Sequence, residues 1–97
     1  MHVGVLRITL RLPSRELKAK RTIVRSVVER IRNRFNASAA EVADLDEPSR
    51  ATIGIACISN DASHVQSQLQ TIANSIEDWR LDAEVIDIET ELIPLGD

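Results

Sequence analysis

The chain has 97 residues, a length that supports one domain over 1–97 and excludes a second, linker-separated core. Hydrophobic residues make up 43% and charged residues 28%, as in globular proteins and unlike disordered or fibrous ones. The net charge of −3 hides an asymmetry. Residues 1–34 hold ten of the twelve basic residues against two acids (+8), and residues 35–97 hold two basic residues against thirteen acids (−11). This asymmetry is the main functional clue in the composition.

The apolar segments are too short and too interrupted for secretion or membrane insertion. No segment approaches the roughly 18 to 20 apolar residues that a membrane helix needs. Arg7 and Arg11 interrupt the first apolar run, where a signal peptide would have its hydrophobic core. We therefore predict a cytoplasmic protein without a membrane partner. The single cysteine, Cys57, lies in the apolar run 53–58 and is predicted to be a small buried hydrophobe.

The first third of the chain predicts a strand and a helix. Residues 2–12 alternate between two sets of side chains, and the apolar set predicts a strand with one buried face. Pro13 ends that strand, and Ser14 is a predicted cap for the next helix. Residues 17–35 carry one stripe of apolar residues at the three- and four-residue spacing of a helix: Leu17, Val24, Val27, Val28, Ile31 and Phe35.

The rest of the chain predicts three more strands and a second helix. A weaker strand over 39–45 leads through the turn 46–49 into an Ile- and Ala-rich strand over 50–59. Asn60 and Asp61 are candidate caps for a helix with the core stripe Val65, Leu69, Ile72, Ala73, Ile76 and Trp79. The last strand, 83–93, is predicted to carry Ile86, Ile88 and Leu92 on one face and Val85, Asp87, Glu89, Glu91 and Ile93 on the other.

The predicted element order is therefore β-α-β-β-α-β. This is the order of the ferredoxin-like, or split βαβ, arrangement, which belongs to the α+β class. Each predicted strand has one clearly apolar face, as a sheet covered on one side requires. We expect two helices on one face of a four-stranded antiparallel sheet.

Four segments of the sequence carry a family resemblance. They are L-K-A-K-R at 17–21, V-R-S at 24–26, R-N-R-F-N-A-S-A-A-E-V at 32–42 and R-A-T-I-G at 50–54. With these segments the chain resembles the YlxP family of small bacterial proteins of unknown function over nearly its whole length. The third segment is the most specific. The chain departs from the family at Glu16, where Ser is expected, and at Ala37 and Ala39, where Val is more usual.

The resemblance implies a ferredoxin-like domain. It also implies a link to RNA or the ribosome, because genes of this family tend to lie beside genes for translation initiation and ribosome maturation. It implies no established catalytic residue. The chemistry must therefore be inferred from the residues themselves.

The first helix carries basic residues on both flanks of its apolar stripe. On one flank, within about 60° of one another at 100° per residue, lie four of them: Lys18, Arg21, Arg25 and Arg32. Arg30 and Arg34 lie on the opposite flank. A helix that presents such groups can bind a nucleic-acid backbone through charge-assisted hydrogen bonds and counterion release. Only Glu29 is acidic between residues 17 and 35, whereas a solvated helix usually mixes both signs. All six basic residues are candidate phosphate contacts.

The scarcity of aromatic residues limits how RNA could be recognised. Phe35 and Trp79 are the only two, and both belong to predicted core stripes, so no strand offers a ring for base stacking. We predict contacts to the backbone and shape of structured RNA or the ribosome. Asn36 and Ser38 form a polar loop after the basic helix, where they either satisfy turn backbone or share in the RNA contact.

Two alternatives to RNA binding stay open for the basic helix. The acidic part of the same chain could neutralise it. The helix could also dock on an acidic partner, in which case the protein is a protein-interaction or dimerising module.

Charged residues on the first and last strands are two apart and therefore share the open face of the predicted sheet. Pairing positions that sum to about 98 would place Arg7 opposite Glu91 and Arg11 opposite Asp87. We prefer this ion pairing to a Mg²⁺ site on the carboxylates, since such sites usually need substrate phosphates as well.

The same face is predicted to carry a small apolar patch. The pairing would place Val5 opposite Ile93, and Val3 and Val85 are expected at the same end. A patch of this kind, rimmed by charge, is a signal for self-association as a homodimer.

Patterns of catalytic chemistry are weak in this sequence. His2 and His64 have no further His or Cys at metal-ligand spacing, and no glycine-rich phosphate loop precedes a helix. The segment 13–16 also has no glycine, unlike the anion-binding loop of ferredoxin-like acyl phosphate hydrolases. We therefore predict a non-enzymatic domain with no catalytic residue, no metal and no cofactor.

Overall fold

Four strands and two helices follow one another in the predicted order. The computed structural model describes residues 1–13, 15–79 and 82–96, so the predicted cap Ser14 lies outside the described residues. The elements are β1 (His2–Arg11), α1 (Leu17–Arg34), β2 (Ser38–Ala43), β3 (Arg50–Ser59), α2 (Ala62–Asp78) and β4 (Glu84–Pro94). The strands are all antiparallel and lie side by side in the order β2-β3-β1-β4. The predicted ferredoxin-like fold is confirmed.

The core lies between the two helices and one face of the sheet. α1 packs on β2 and β3, and α2 packs on β1, β3 and β4. The predicted stripes are buried from Val24 to Ile31 and from Val65 to Ile76, and each fully buried Val, Leu or Ile contributes roughly 1.5–3 kcal/mol. Cys57 is buried in this core, as predicted, and burial raises the pKa of its thiol. Among the described residues, no helix is long and apolar enough to cross a bilayer.

The start of α2 combines a close approach to β1 with a side-chain cap. A Cβ atom at Gly4 would overlap the side chains of Val65 and Leu69, so glycine lets the helix lie directly against the strand. The carboxylate of Asp61 accepts hydrogen bonds from the backbone N–H groups of Ser63 and His64, which confirms Asp61 as the cap. Hydrogen bonds from His64 and Ser63 hold the pKa of Asp61 below its usual range.

The predicted pairing of β1 with β4 is wrong by two residues up to Thr9, and by three residues beyond the bulge that follows it. Arg7 lies opposite Glu89, and its Nη2 is 2.6 Å from Oε2 of that carboxylate. Arg11 lies opposite Glu84, with 3.3 Å between Nη1 and Oε2. Val5 lies opposite Glu91, the predicted partner of Arg7. A shift of two residues keeps every side chain on its face, so alternation alone cannot choose between the two registers.

A β-bulge also reverses the predicted facing at the start of β4. Thr9 pairs with Asp87 and the next residue of β1 pairs with Val85, which leaves Ile86 without a direct partner. Val85 and Ile88 both pack against the core, and Ile86 lines a surface cavity instead. The prediction that Ile86 shares a face with Ile88, and that Val85 joins the open-face patch, is wrong because a bulge adds one residue and switches the alternation.

Candidate phosphate-binding surface on α1

Three basic side chains form an exposed line along the first half of α1. Lys18, Arg21 and Arg25 span about 10 Å of helix axis and are all exposed. Within the described part of the chain, none of the three forms an ion pair with a carboxylate. We call these three residues the basic ridge. Since no described carboxylate lies within ion-pair distance of these three side chains, they can attract an anion from solution.

Arg32, the fourth residue predicted for this flank, has a structural partner. Its Nη2 donates a hydrogen bond of 2.7 Å to the backbone oxygen of Ala39, on β2 at the edge of the sheet. The bond ties the end of α1 to an edge strand that has no neighbour on that side. The guanidinium keeps further N–H donors, but because this bond already serves the fold, Arg32 does not belong to the basic ridge.

Arg30 and Arg34 lie on the opposite flank, as predicted, and face Trp79. Their guanidinium carbons lie 5.5 and 5.7 Å from the centre of the Trp79 ring, within the range of cation–π attraction. Trp79 follows the last turn of α2 and is half-buried against the core. These two arginines therefore link the helices, and the structure does not bring them together with the basic ridge.

Asn36 and Ser38 do not continue the basic ridge either. The N–H of Phe35 closes the last turn of α1 by donating to the Ile31 oxygen. The backbone oxygen of Asn36 accepts a 3.3 Å hydrogen bond from Nε2 of Gln68 on α2. Ser38 begins β2 and lines a shallow groove on the open face of the sheet, on the side away from the helices. The two polar residues thus lie on different surfaces.

Sequence reasoning missed the most important basic side chain of the fold, Lys20. Its side chain is fully buried, and its ammonium donates to three backbone oxygens in the loop between β2 and β3, those of Asp44, Leu45 and Glu47. Oε2 of Glu41 lies 2.9 Å away as an ion pair. That oxygen has no hydrogen-bond partner among the described residues, whereas the three N–H groups of the ammonium are matched in number by the three carbonyl oxygens.

Two acidic side chains of the loop between β2 and β3 also accept hydrogen bonds within the protein. β2 ends at Ala43, two residues before its predicted end, because Asp44 adopts a left-handed backbone with φ 59°. Oδ2 of Asp44 accepts a 2.7 Å hydrogen bond from the Thr52 hydroxyl. The Ser49 hydroxyl and N–H both donate to Glu47, which lowers the pKa of that carboxyl group. Neutralisation within the chain, one of the open alternatives for α1, therefore applies to Lys20 through Glu41.

The sequence contained a signal for Lys20. It precedes Val24, Val27 and Ile31 by four, seven and eleven residues, so it lies in the middle of the apolar stripe. Glu41 is two residues after the buried Ala39 and therefore points to the same face of β2. Two opposite charges at inward positions of packed elements predict a buried ion pair.

Comparisons with known proteins find a family, a relative and a similar solved structure. A family model for "Protein of unknown function (DUF503)" matches residues 3–90. "Uncharacterized protein YlxP" of Bacillus subtilis (strain 168) is 30% identical over 63 residues, which is 65% of this chain and 68% of that protein. A crystal structure from Deinococcus radiodurans, named "putative antibiotic biosynthesis monooxygenase", is similar with a TM-score of 0.51 and 16% identity, over 100% of this chain and 94% of that chain. At this identity the likeness shows the fold alone.

Proposed function

The chain belongs to the DUF503 family of proteins of unknown function, and we propose that it is a non-enzymatic cytoplasmic domain that binds structured RNA, alone or in the ribosome. The basic ridge on α1 makes the contact. The observation that supports this proposal is that Lys18, Arg21 and Arg25 are exposed and that no described carboxylate pairs with them.

The energetics of the basic ridge favour an external anion. Like charges three and four residues apart on a helix destabilise it by roughly 0.2–0.5 kcal/mol per pair. α1 contains one acid, Glu29, against seven basic residues. A polyanion that displaces counterions removes this repulsion and gains charge-assisted hydrogen bonds.

The mode of recognition follows from the positions of the two aromatic residues. Phe35 and Trp79 lie outside the four strands and are partly buried against the core, so the sheet offers no ring to an unstacked base. Recognition by this surface therefore depends on backbone charge and shape, which makes it strongly salt-dependent. An acidic protein surface presents the same kind of charge, and it is the alternative that the experiment must separate.

Co-sedimentation with ribosomes, with and without nuclease treatment, tests the proposal. We expect the protein to co-sediment and nuclease to release it. Persistence after nuclease treatment would indicate an acidic protein partner instead and contradict RNA binding, as would a lack of co-sedimentation at low salt.

A matched pair of variants locates the contact. The ridge variant carries Lys18→Gln, Arg21→Gln and Arg25→Gln. The α2 control carries Gln66→Glu, Gln70→Glu and Asn74→Glu, which changes the net charge by the same amount on exposed positions of the other helix. We expect the ridge variant to lose co-sedimentation and the control to keep it. Equal losses would mean that net charge, and not the ridge, causes binding.

A further inference from the structure

The open face of the sheet ends in an unusually apolar corner. Within the described residues, seven large hydrophobic side chains are exposed, and four of them lie on this face where β1 begins and where β3 and β4 end: Met1, Ile58, Ile93 and Leu95. Ile58 is 62% exposed and Ile93 is 43% exposed. Contiguous apolar surface of this kind commonly marks an interaction site.

The strand register shows which of these side chains share one face. Val3 lies opposite Ile58 on one side and Ile93 on the other. The backbone N–H of Leu95 donates to the Met1 oxygen at 2.8 Å, which extends the ladder by one more pair. Residues two apart along a strand point to the same face, so seven side chains form one continuous surface, the terminal patch: Met1, Val3, Val5, Ala56, Ile58, Ile93 and Leu95.

The other half of the open face has a different character. It carries the ion pairs Arg7–Glu89 and Arg11–Glu84, with Arg50 beside Arg11 on β3. Charges of both signs thus lie at one end of the sheet and the terminal patch lies at the other. A polyanion gains little on such a face because the β4 carboxylates repel it.

We propose that a second copy of this chain packs on the terminal patch, face to face, about a two-fold axis that crosses the strands. Such an axis places the apolar half of one face on the apolar half of the other and leaves the charged half of each face outside the contact. The interface is isologous, so each patch residue meets the patch of the other copy.

The size of the patch sets the strength of the dimer. Three strands about 4.8 Å apart, over about 15 Å of their length, give roughly 200 Å² per copy. Two copies bury roughly 400 Å² of apolar centre, and the rim adds to it, whereas stable complexes begin near about 1,200 Å². The dimer is therefore weak and reversible. Since α1 lies on the opposite side of the sheet, the inference is independent of RNA binding, and both basic ridges stay exposed in the dimer.

Sedimentation velocity over a concentration series tests the dimer. The patch variant carries Ile58→Asp and Ile93→Asp. The control carries Val42→Asp and Leu45→Asp, which are exposed apolar residues outside the patch and add the same charge. All four positions are exposed, so both variants should fold, and circular dichroism checks this.

We expect the natural protein and the control to shift from monomer to dimer as concentration rises, and the patch variant to stay monomeric. A natural protein that is monomeric at its highest soluble concentration would overturn the proposal. So would a patch variant that dimerises like the natural protein, or a control that dissociates as the patch variant does.

Discussion

The two helices occupy the same layer, yet their polar faces differ completely in charge. α1 has seven basic residues and one acid, whereas α2 has no Lys or Arg and presents mainly Gln, Ser and Asn to solvent. Both bury an apolar stripe against the same sheet. α2 therefore shows that a helix in this layer can pack and remain solvated without Lys or Arg. The basic residues of α1 need an explanation of their own.

Within α1 the basic residues divide according to their contacts. Lys20 is buried with Glu41, Arg32 holds the edge of the sheet, and two further arginines stack on Trp79. The three residues of the basic ridge have no such structural contact. The candidate functional surface of α1 therefore consists of three side chains.

Loss of the buried ion pair between Lys20 and Glu41 should lower the free energy of unfolding more than any other change proposed for this protein. Lys20→Met leaves Glu41 as an unpaired carboxylate that is 16% exposed and removes the donor from three loop carbonyls. Loss of one partner of a buried ion pair costs about 3–5 kcal/mol, and we expect this loss in the free energy of unfolding measured with urea. Lys18→Met, two residues away on the exposed side, should change it by less than about 0.5 kcal/mol. Equal effects of the two substitutions would contradict the assigned roles.

Substitutions on the two flanks of α1 should differ in a smaller effect on stability. Arg30→Gln with Arg34→Gln removes both cation–π contacts with Trp79, at about 0.5–1 kcal/mol each. The pair Arg21→Gln and Arg25→Gln removes the same charge from the basic ridge and should not destabilise the protein. Thermal unfolding of both double variants checks this, and a ridge variant that unfolds at the lower temperature would refute the division.

The smallest effect concerns the N-terminus of α2. The pKa of Asp61 is lowered in the folded protein, so its ionised form stabilises the fold above the unfolded pKa of about 3.9, and this contribution is lost as pH falls through that range. Asp61→Ala should therefore lower stability near neutral pH and have a smaller effect in acid. Urea unfolding of both proteins across this pH range checks the prediction. A difference that stays constant with pH would mean that the carboxylate does not act as a charged cap.

The fold was largely predictable from hydrophobic periodicity. The bounds of β3 agree with its prediction, and α1 ends one residue before its predicted end. Periodicity could not supply the pairing of β1 with β4, because registers that differ by two residues expose the same side chains. It also could not reveal the bulge at Ile86, which depends on how the strand fits its neighbour.

The candidate site was predictable only in part. Helical geometry placed Lys18, Arg21 and Arg25 on one flank, and in the structure all three lie on α1 and are exposed. Only the structure shows which basic side chains are bound within the protein. The partners of Arg32 and Lys20 come from β2 and from the loop that follows it. Charge on a helix can be read from sequence, whereas its compensation depends on tertiary contacts.

If the basic ridge contacts phosphates, the affinity of the protein for RNA must fall with salt in proportion to the number of contacts. A labelled structured RNA is titrated with the natural protein, the ridge variant and the α2 control at several salt concentrations. Each phosphate contact contributes about 0.7–0.9 to the slope of log affinity against log salt. We therefore expect the ridge variant to lose about 2–3 units of slope and the control to lose none. The same slope for the ridge variant and the natural protein, or no binding by the natural protein at low salt, would mean that the basic ridge does not contact phosphates.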